Sequence, residues 1–331
     1  MPVRSKNTLQ VLLSNDTLTL RGSPEESAGC ILTGTVILNV VEPLKVKSLR
    51  LTFLGTVMVD ANDGDSRKEL VLTKKQWVFL DPNSATYWLK PNQYKYDFGI
   101  VLSGDFPESV YVRHGFVNYK VIAVAERPGL HFNLKAQRVV DIKRAILHPA
   151  DSWITPHPTM TNWENRLYLS ISVPTSSFII GKDLPFSLMV TPLEPKITIA
   201  RVKGLLREVV TYTIHDQQAP LTRYYGLSIT YLNCPDDQSS EWELHGTLTI
   251  PRRASHFCNT GFIRVSHQLL LEHLVIDAKR MSKVVCMVLP VTLQSSIHHE
   301  LAQSPPSYLD YHELPALEAS ILPPPYDSSK L

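Results

Sequence analysis

Apolar and polar residues alternate with a period of two along most of this chain. Val36, Leu38 and Val40 fall on one face of a stretch whose other face carries Thr35, Ile37 and Asn39. Leu49, Leu51 and Phe53 alternate with Arg50 and Thr52, and Leu167, Leu169, Ile171 and Val173 alternate with Tyr168, Ser170 and Ser172. That period marks strands with one face on a core and the other toward solvent. Further runs lie near residues 115–125, 196–206, 243–250, 264–276 and 283–293, with polar turn clusters at 60–66, 81–85, 233–240 and 251–255 between runs. Many short strands joined by such turns predict an all-β fold of antiparallel β-sandwiches. Convincing helix signals are few.

The tract from Asp141 to Trp163 holds three prolines and no sustained alternation, and is read as a linker between two sandwiches. The predicted layout is a first sandwich with the start of the linker over 1–150, the rest of the linker and a second sandwich over 151–293, and a flexible tail over 294–331. Six of the tail's 38 residues are proline, and it has no alternation to bury, so extended, partly polyproline-II backbone is expected.

Composition agrees with two folded units. The chain has 331 residues, of which 44% are hydrophobic and 19% charged, which suits two globular domains and excludes wholesale disorder. Net charge is +2, too balanced to argue for nucleic acid. Residues 1–150 carry 19 Lys+Arg against 14 Asp+Glu, and Lys45, Lys47, Arg50, Lys74, Lys75 and Lys90 are candidates for a basic surface facing anionic lipid or acidic partners. The aromatics Trp77, Phe79, Tyr87 and Trp88 are expected to pack a sheet edge.

Cys30, Cys234, Cys258 and Cys286 are too far apart for CxxC chemistry and are expected as buried free thiols in a reducing compartment. The first residues lack the apolar run of a signal peptide, and no segment reaches the roughly 18–20 apolar residues that span a bilayer. The expected location is therefore the cytoplasm, with any membrane contact peripheral. His298-His299-Glu300 invites a metal reading, but adjacent histidines on an extended chain point apart. No GxSxG elbow, phosphate loop or HExxH is present, so no catalytic residue, cofactor or metal site is assigned.

The tail holds two PPxY motifs, Pro305-Pro306-Ser307-Tyr308 and Pro323-Pro324-Pro325-Tyr326. Paired prolines preset φ, so little entropy is lost when they dock between the aromatic side chains of a WW domain, and the tyrosine reaches a second pocket. At this chain's own Pro and Tyr frequencies, chance gives roughly 0.07 such motifs per chain.

The order of the strands followed by these motifs resembles a known family. Gly34 to Leu38, Pro43, Leu49 to Gly55, Leu89-Lys90-Pro91 leading to Tyr94, Tyr96 and Phe98, Phe106-Pro107, Ser109 and Gly115 to Val121 resemble an arrestin N-domain. Ile180 to Leu184, Leu206 to Tyr212 and Ile263 to Leu269 resemble an arrestin C-domain. With the PPxY tail, the chain is similar to the α-arrestins, or arrestin-related trafficking adaptors, and most like the fungal branch. The resemblance implies two tandem sandwiches. It also implies an adaptor that recruits a WW-containing HECT-type ubiquitin ligase to membrane transporters or receptors, which are then ubiquitinated and endocytosed at the plasma membrane and endosomes. Pro305, Pro306, Tyr308, Pro323, Pro324 and Tyr326 carry over as the ligase-binding residues. The family often has Gly after the LxP turn, where this chain has Asn92. A sorting-coat subunit similar to the arrestin-like subunit of retromer is the alternative, and it would need no PPxY motif.

Overall fold

The computed structural model describes residues 6–61, 66–83, 86–145, 158–194, 196–214, 217–231, 241–277 and 279–303. Its first half contains β1 (Thr8–Leu13), β2 (Thr17–Arg21), β3 (Cys30–Val40), β4 (Leu44–Val46), β5 (Ser48–Ala61), β6 (Ser66–Leu80), β7 (Tyr87–Leu89), β8 (Asn92–Leu102), β9 (Val110–Val112), β10 (Gly115–Glu126) and β11 (Leu134–Ala145). One sheet runs β1-β3-β8 and the other runs β2-β11-β10-β5-β6, with β9 beside β10 and a small β4-β7 ribbon.

The second half contains β12 (Thr159–Trp163), β13 (Leu167–Ser172), β14 (Ser177–Ile179), β15 (Asp183–Pro192), β16 (Thr198–Ile214), β17 (Gln217–Tyr231), β18 (Trp242–Thr249), β19 (Cys258–Asn259), β20 (Ile263–Ile276) and β21 (Ser282–Gln294), then helix α1 (Ser296–Gln303). Its sheets run β12-β13-β15-β18 and β14-β21-β20-β16-β17. The larger sheets of the two halves share one plan. In each, a short early strand sits at the edge beside the last strand and runs parallel to it, β2 on β11 and β14 on β21. All other pairings in the two sandwiches are antiparallel, so the antiparallel expectation holds except at these two edges.

The alternation read from the sequence is the burial pattern. Inward and outward residues alternate over the whole of β10, and Leu49, Leu51 and Phe53 of β5 are fully buried, as are Leu167, Leu169 and Ile171 of β13. Phe53 stacks on Tyr119 at 5.9 Å, and the Tyr119 hydroxyl donates to the Pro107 carbonyl at 2.7 Å. Trp77 and Phe79 pack against Phe98 and Tyr96 of the opposite sheet, with ring centroids 5.5 and 5.0 Å apart, as expected of sheet aromatics. Trp88 does not follow them: it is 60% exposed.

Three other expectations change. Asp141–Ala145 belongs to β11 and Thr159–Trp163 is β12, so both ends of the expected linker are strand; strand pairing, not an internal pattern, holds them. Ser296–Gln303, expected in the tail, is helical: the Ser295 hydroxyl accepts from the His298 backbone N–H at 3.3 Å as an N-cap. Among the described cysteines, Cys258 is buried and Cys30 half-buried, but Cys286 is exposed, on the outward face of β21; Cys234 lies outside the described residues. Asn92 opens β8 without left-handed backbone, so the turn makes no demand for glycine there. Among the described residues no helix is long and apolar enough to cross a membrane.

The two sandwiches share apolar contacts. Val210, Tyr212, Cys258, Ile263 and Val265 of the second half belong to the buried cluster of the first. Gly115 lies in this joint: a Cβ there would meet the Met58 carbonyl oxygen at 2.8 Å, Ile263 Cδ1 at 3.1 Å and the Tyr212 ring at 3.3 Å. Helix α1 then folds back onto the first sandwich, where Arg21 donates to the Leu301 carbonyl at 2.9 Å.

Candidate functional site

The basic candidates lie on β4, β5, β6 and the turns beside them. Lys45, Lys47, Lys74, Lys75 and Lys90 are exposed. Lys45 lies over the Trp88 ring, 4.9 Å from its centroid, and Lys75 lies 5.6 Å from that of Trp77. Arg50 differs, because it pairs with Glu126, whose other oxygen accepts from the Ser48 hydroxyl at 2.8 Å. Its charge is therefore compensated, whereas Lys45, Lys47, Lys74, Lys75 and Lys90 are exposed.

Two buried polar clusters were not legible in the sequence. The first surrounds Glu208 of β16, which is fully buried. Its carboxylate accepts from the Ser255 backbone N–H at 2.7 Å and the Tyr225 hydroxyl at 3.1 Å; His267 Nε2 lies at 3.4 Å and the Arg223 guanidinium at 3.7 Å. Burial by itself would raise this carboxyl, but the bonds from His267, Ser255 and Tyr225 outweigh it and hold it below its ordinary value. The cluster ties the 251–257 loop to the sheet.

The second cluster lies where that loop meets the first sandwich and α1. Glu108 precedes β9 and is 4% exposed; Ser109 beside it is locked to β11, its backbone N–H donating to the Ile142 carbonyl at 2.7 Å and its hydroxyl accepting from the Ile142 N–H at 2.9 Å. His298 of α1 is 6% exposed and places Nε2 3.6 Å from Glu108 Oε2. His256, from the 251–257 loop, faces His298 with ring centroids 4.5 Å apart. Burial, the neighbouring His298 and Lys143 push His256 down to about 3, so its imidazole is neutral at neutral pH. Arg144 also lines this cavity, but its guanidinium donates to the carbonyls of Gly22, Gly104 and Phe106 at 3.1, 2.7 and 2.8 Å. Only His298 had a signal in the sequence; its partners are 190 and 42 positions away by the numbering, where no local motif reaches. Both PPxY motifs, with Pro305, Pro306, Tyr308, Pro323, Pro324 and Tyr326, lie outside the described residues.

Two tandem sandwiches of one plan, joined by a shared apolar contact and followed by a helix and a Pro-rich segment, define the class: an arrestin-fold protein. Comparison with known proteins gives the family. Residues 24–148 match Arrestin (or S-antigen), N-terminal domain, and residues 163–298 match Arrestin (or S-antigen), C-terminal domain. The chain belongs to the arrestin family, and its relatives agree with the fungal α-arrestin branch. It is 24% identical over 284 residues to an arrestin domain-containing protein of Schizosaccharomyces pombe, covering 81% of this chain and 48% of that one. It is 29% identical over 245 residues to a probable HECT-type ubiquitin ligase-interacting protein, creD, of Aspergillus terreus, covering 71% and 41%. The HECT-type ubiquitin ligase-interacting protein creD of Emericella nidulans is 26% identical over 285 residues, covering 78% and 48%. The chain thus spans less than half the length of these relatives. The creD relatives are described as ligase-interacting proteins, not as enzymes.

Proposed function

We propose that this protein is an adaptor whose folded domains engage membrane transporters or receptors while its two PPxY motifs recruit a HECT-type ubiquitin ligase through WW domains. Cargo held this way is ubiquitinated and endocytosed. The observation that carries the reading is the pair of PPxY motifs following an arrestin N-domain and C-domain. The description of the creD relatives as ligase-interacting supports the same partner. The working location is the cytoplasm, with peripheral recruitment to the plasma membrane and endosomes, and the exposed lysines of the first sandwich are the residues for anionic head groups, each adding at most about 1 kcal/mol.

Tyr308 and Tyr326 are 18 positions apart, roughly 20–25 Å as a flexible coil. A ligase with tandem WW domains can therefore engage both and gain about 10²-fold in avidity. The test is calorimetry of the full chain against the tandem WW domains of a HECT-type ligase. Binding weakened by Tyr308→Ala and by Tyr326→Ala, and abolished by the double change, is the expected result. Undiminished binding by the double variant would exclude the PPxY motifs as the contact, and absence of binding by the wild type would remove the ligase arm and leave a coat-subunit role as the reading to pursue.

A further inference from the structure

We propose that Glu108, His256 and His298 form a binding site for one divalent transition-metal ion of the zinc type, stapling the two sandwiches and helix α1 together. This inference does not depend on the adaptor reading. Glu108 Oε2, His256 Nε2 and His298 Nε2 are each buried and each lack a hydrogen-bond partner. Orphaned buried acceptors are costly, and native proteins rarely leave three together without a shared occupant. One donor atom from each of the three residues lies within 4.8 Å of the other two. Two ligands of a tetrahedral zinc ion lie about 3.4 Å apart, as metal–ligand distances of 2.0–2.2 Å require. His298 and Glu108, at 3.6 Å, are already near that spacing, and the His256 ring lies beside His298 with centroids 4.5 Å apart.

The surroundings fit a metal. A cavity of about 20 Å³ lies among these residues, enough for one ion or one water. Two imidazoles and a carboxylate are the donors zinc takes, whereas magnesium and calcium favour all-oxygen sites. His298 Nδ1 is held 2.5 Å from the Ser295 hydroxyl, which fixes the ring and turns Nε2 inward, the outer contact that metal-bound histidines usually have. The Glu208 carboxylate, by gripping the Ser255 backbone, fixes the neighbour of His256. Arg144 lines the same cavity and feels the Glu108 charge, but its guanidinium hydrogen bonds go to three backbone carbonyls, and Lys143 lies 3.1 Å from Asp141.

Each ligand comes from a different part of the fold: the first sandwich, the second sandwich, and the helix that precedes the first PPxY motif. An ion here fixes the angle between the sandwiches and pins the root of the tail, so metal supply sets how tightly the tail's origin is held.

The test uses the untagged full-length chain, stripped with chelator and titrated calorimetrically with ZnCl2. Cobalt(II) absorbance reports the coordination geometry, and MgCl2 serves as the hard-cation control. One equivalent of zinc, tetrahedral-type cobalt bands and a melting temperature that rises with zinc are expected. His256→Ala and Glu108→Gln should each weaken zinc at least about tenfold, while His245→Ala, at an exposed pair with Glu243 on β18, should leave it unchanged. His256 is half-buried and its loss leaves the sandwich cores intact, so this variant carries the test if Glu108→Gln fails to fold. Absence of saturable zinc binding, or binding indifferent to His256→Ala, would overturn the proposal and leave a bridging water or a His298–Glu108 ion pair as the occupant.

Discussion

Glu208→Ala removes the acceptor shared by three buried donors. The Ser255 N–H at 2.7 Å, the Tyr225 hydroxyl at 3.1 Å and His267 at 3.4 Å all lose their partner at a site where Glu208, Tyr225 and His267 are buried. An orphaned buried donor costs about 1–3 kcal/mol, and breaking a buried ion pair about 3–5 kcal/mol. The costs do not simply add, because the Tyr225 hydroxyl can rotate and the Arg223 side chain, 29% exposed, can hydrate. The expected loss is about 3–5 kcal/mol, a large share of the 5–15 kcal/mol typical of folded proteins. At about 2–4 °C per kcal/mol the melting temperature falls by roughly 10 °C. Chemical denaturation followed by circular dichroism measures it, with Arg223→Ala as a control expected to cost under about 1 kcal/mol. Acid should narrow the difference. The folded carboxyl lies below its ordinary 4.5, so its ion stabilises the fold above that pH and the contribution is lost as pH falls through the folded value. The gap between wild type and Glu208→Ala should therefore narrow below about pH 4.5. A loss under about 1 kcal/mol at neutral pH, or a gap that does not change with acid, would refute the reasoning.

Gly115→Ala places a methyl 2.8 Å from the Met58 carbonyl and against Ile263 and Tyr212, so it should cost about 1–3 kcal/mol and make the segment between the sandwiches easier for protease to cut; unchanged melting and digestion would show that the joint yields freely. Alkylation of the native protein followed by peptide mapping should modify exposed Cys286 and spare Cys258, whose thiol burial pushes up and shields, until denaturant is added; early modification of Cys258 would mean that the joint opens.

Where a residue's fate depends on its immediate neighbours, the sequence was readable. Alternation in β5, β10 and β13 announced both the strands and the buried face, because a pleated backbone imposes that period directly. The two parallel edges were not visible, since β2 and β14 are three to five residues long and owe their place to partners more than a hundred positions away. The ends of the expected linker were misread for the same reason: Asp141–Ala145 is held by β2 and β10, not by a pattern of its own. Helix α1 is only eight residues long, too short to hold alone; its N-cap at Ser295 and the bond from Arg21 to Leu301 hold what its length would not. The candidate metal residues come from two loops and helix α1, far apart in sequence, and adjacent histidines gave no hint that His298 would be the buried one. The PPxY motifs are the opposite case, since each is a local pattern visible within four residues.

The parallel edges also order events during synthesis. β2 leaves the ribosome before its partner strand among the described residues, β11, which follows more than a hundred residues later, and β14 waits about as long for β21. Neither sandwich can close until its final strand has been translated, and such distant pairings fold slowly. The first sandwich waits longer still for its last covering, because Val210, Tyr212, Ile263 and Val265 complete its buried cluster and belong to the second. A nascent chain stalled between the halves would present an uncovered apolar end to solvent, which makes that interval the one in which a chaperone has most to hold.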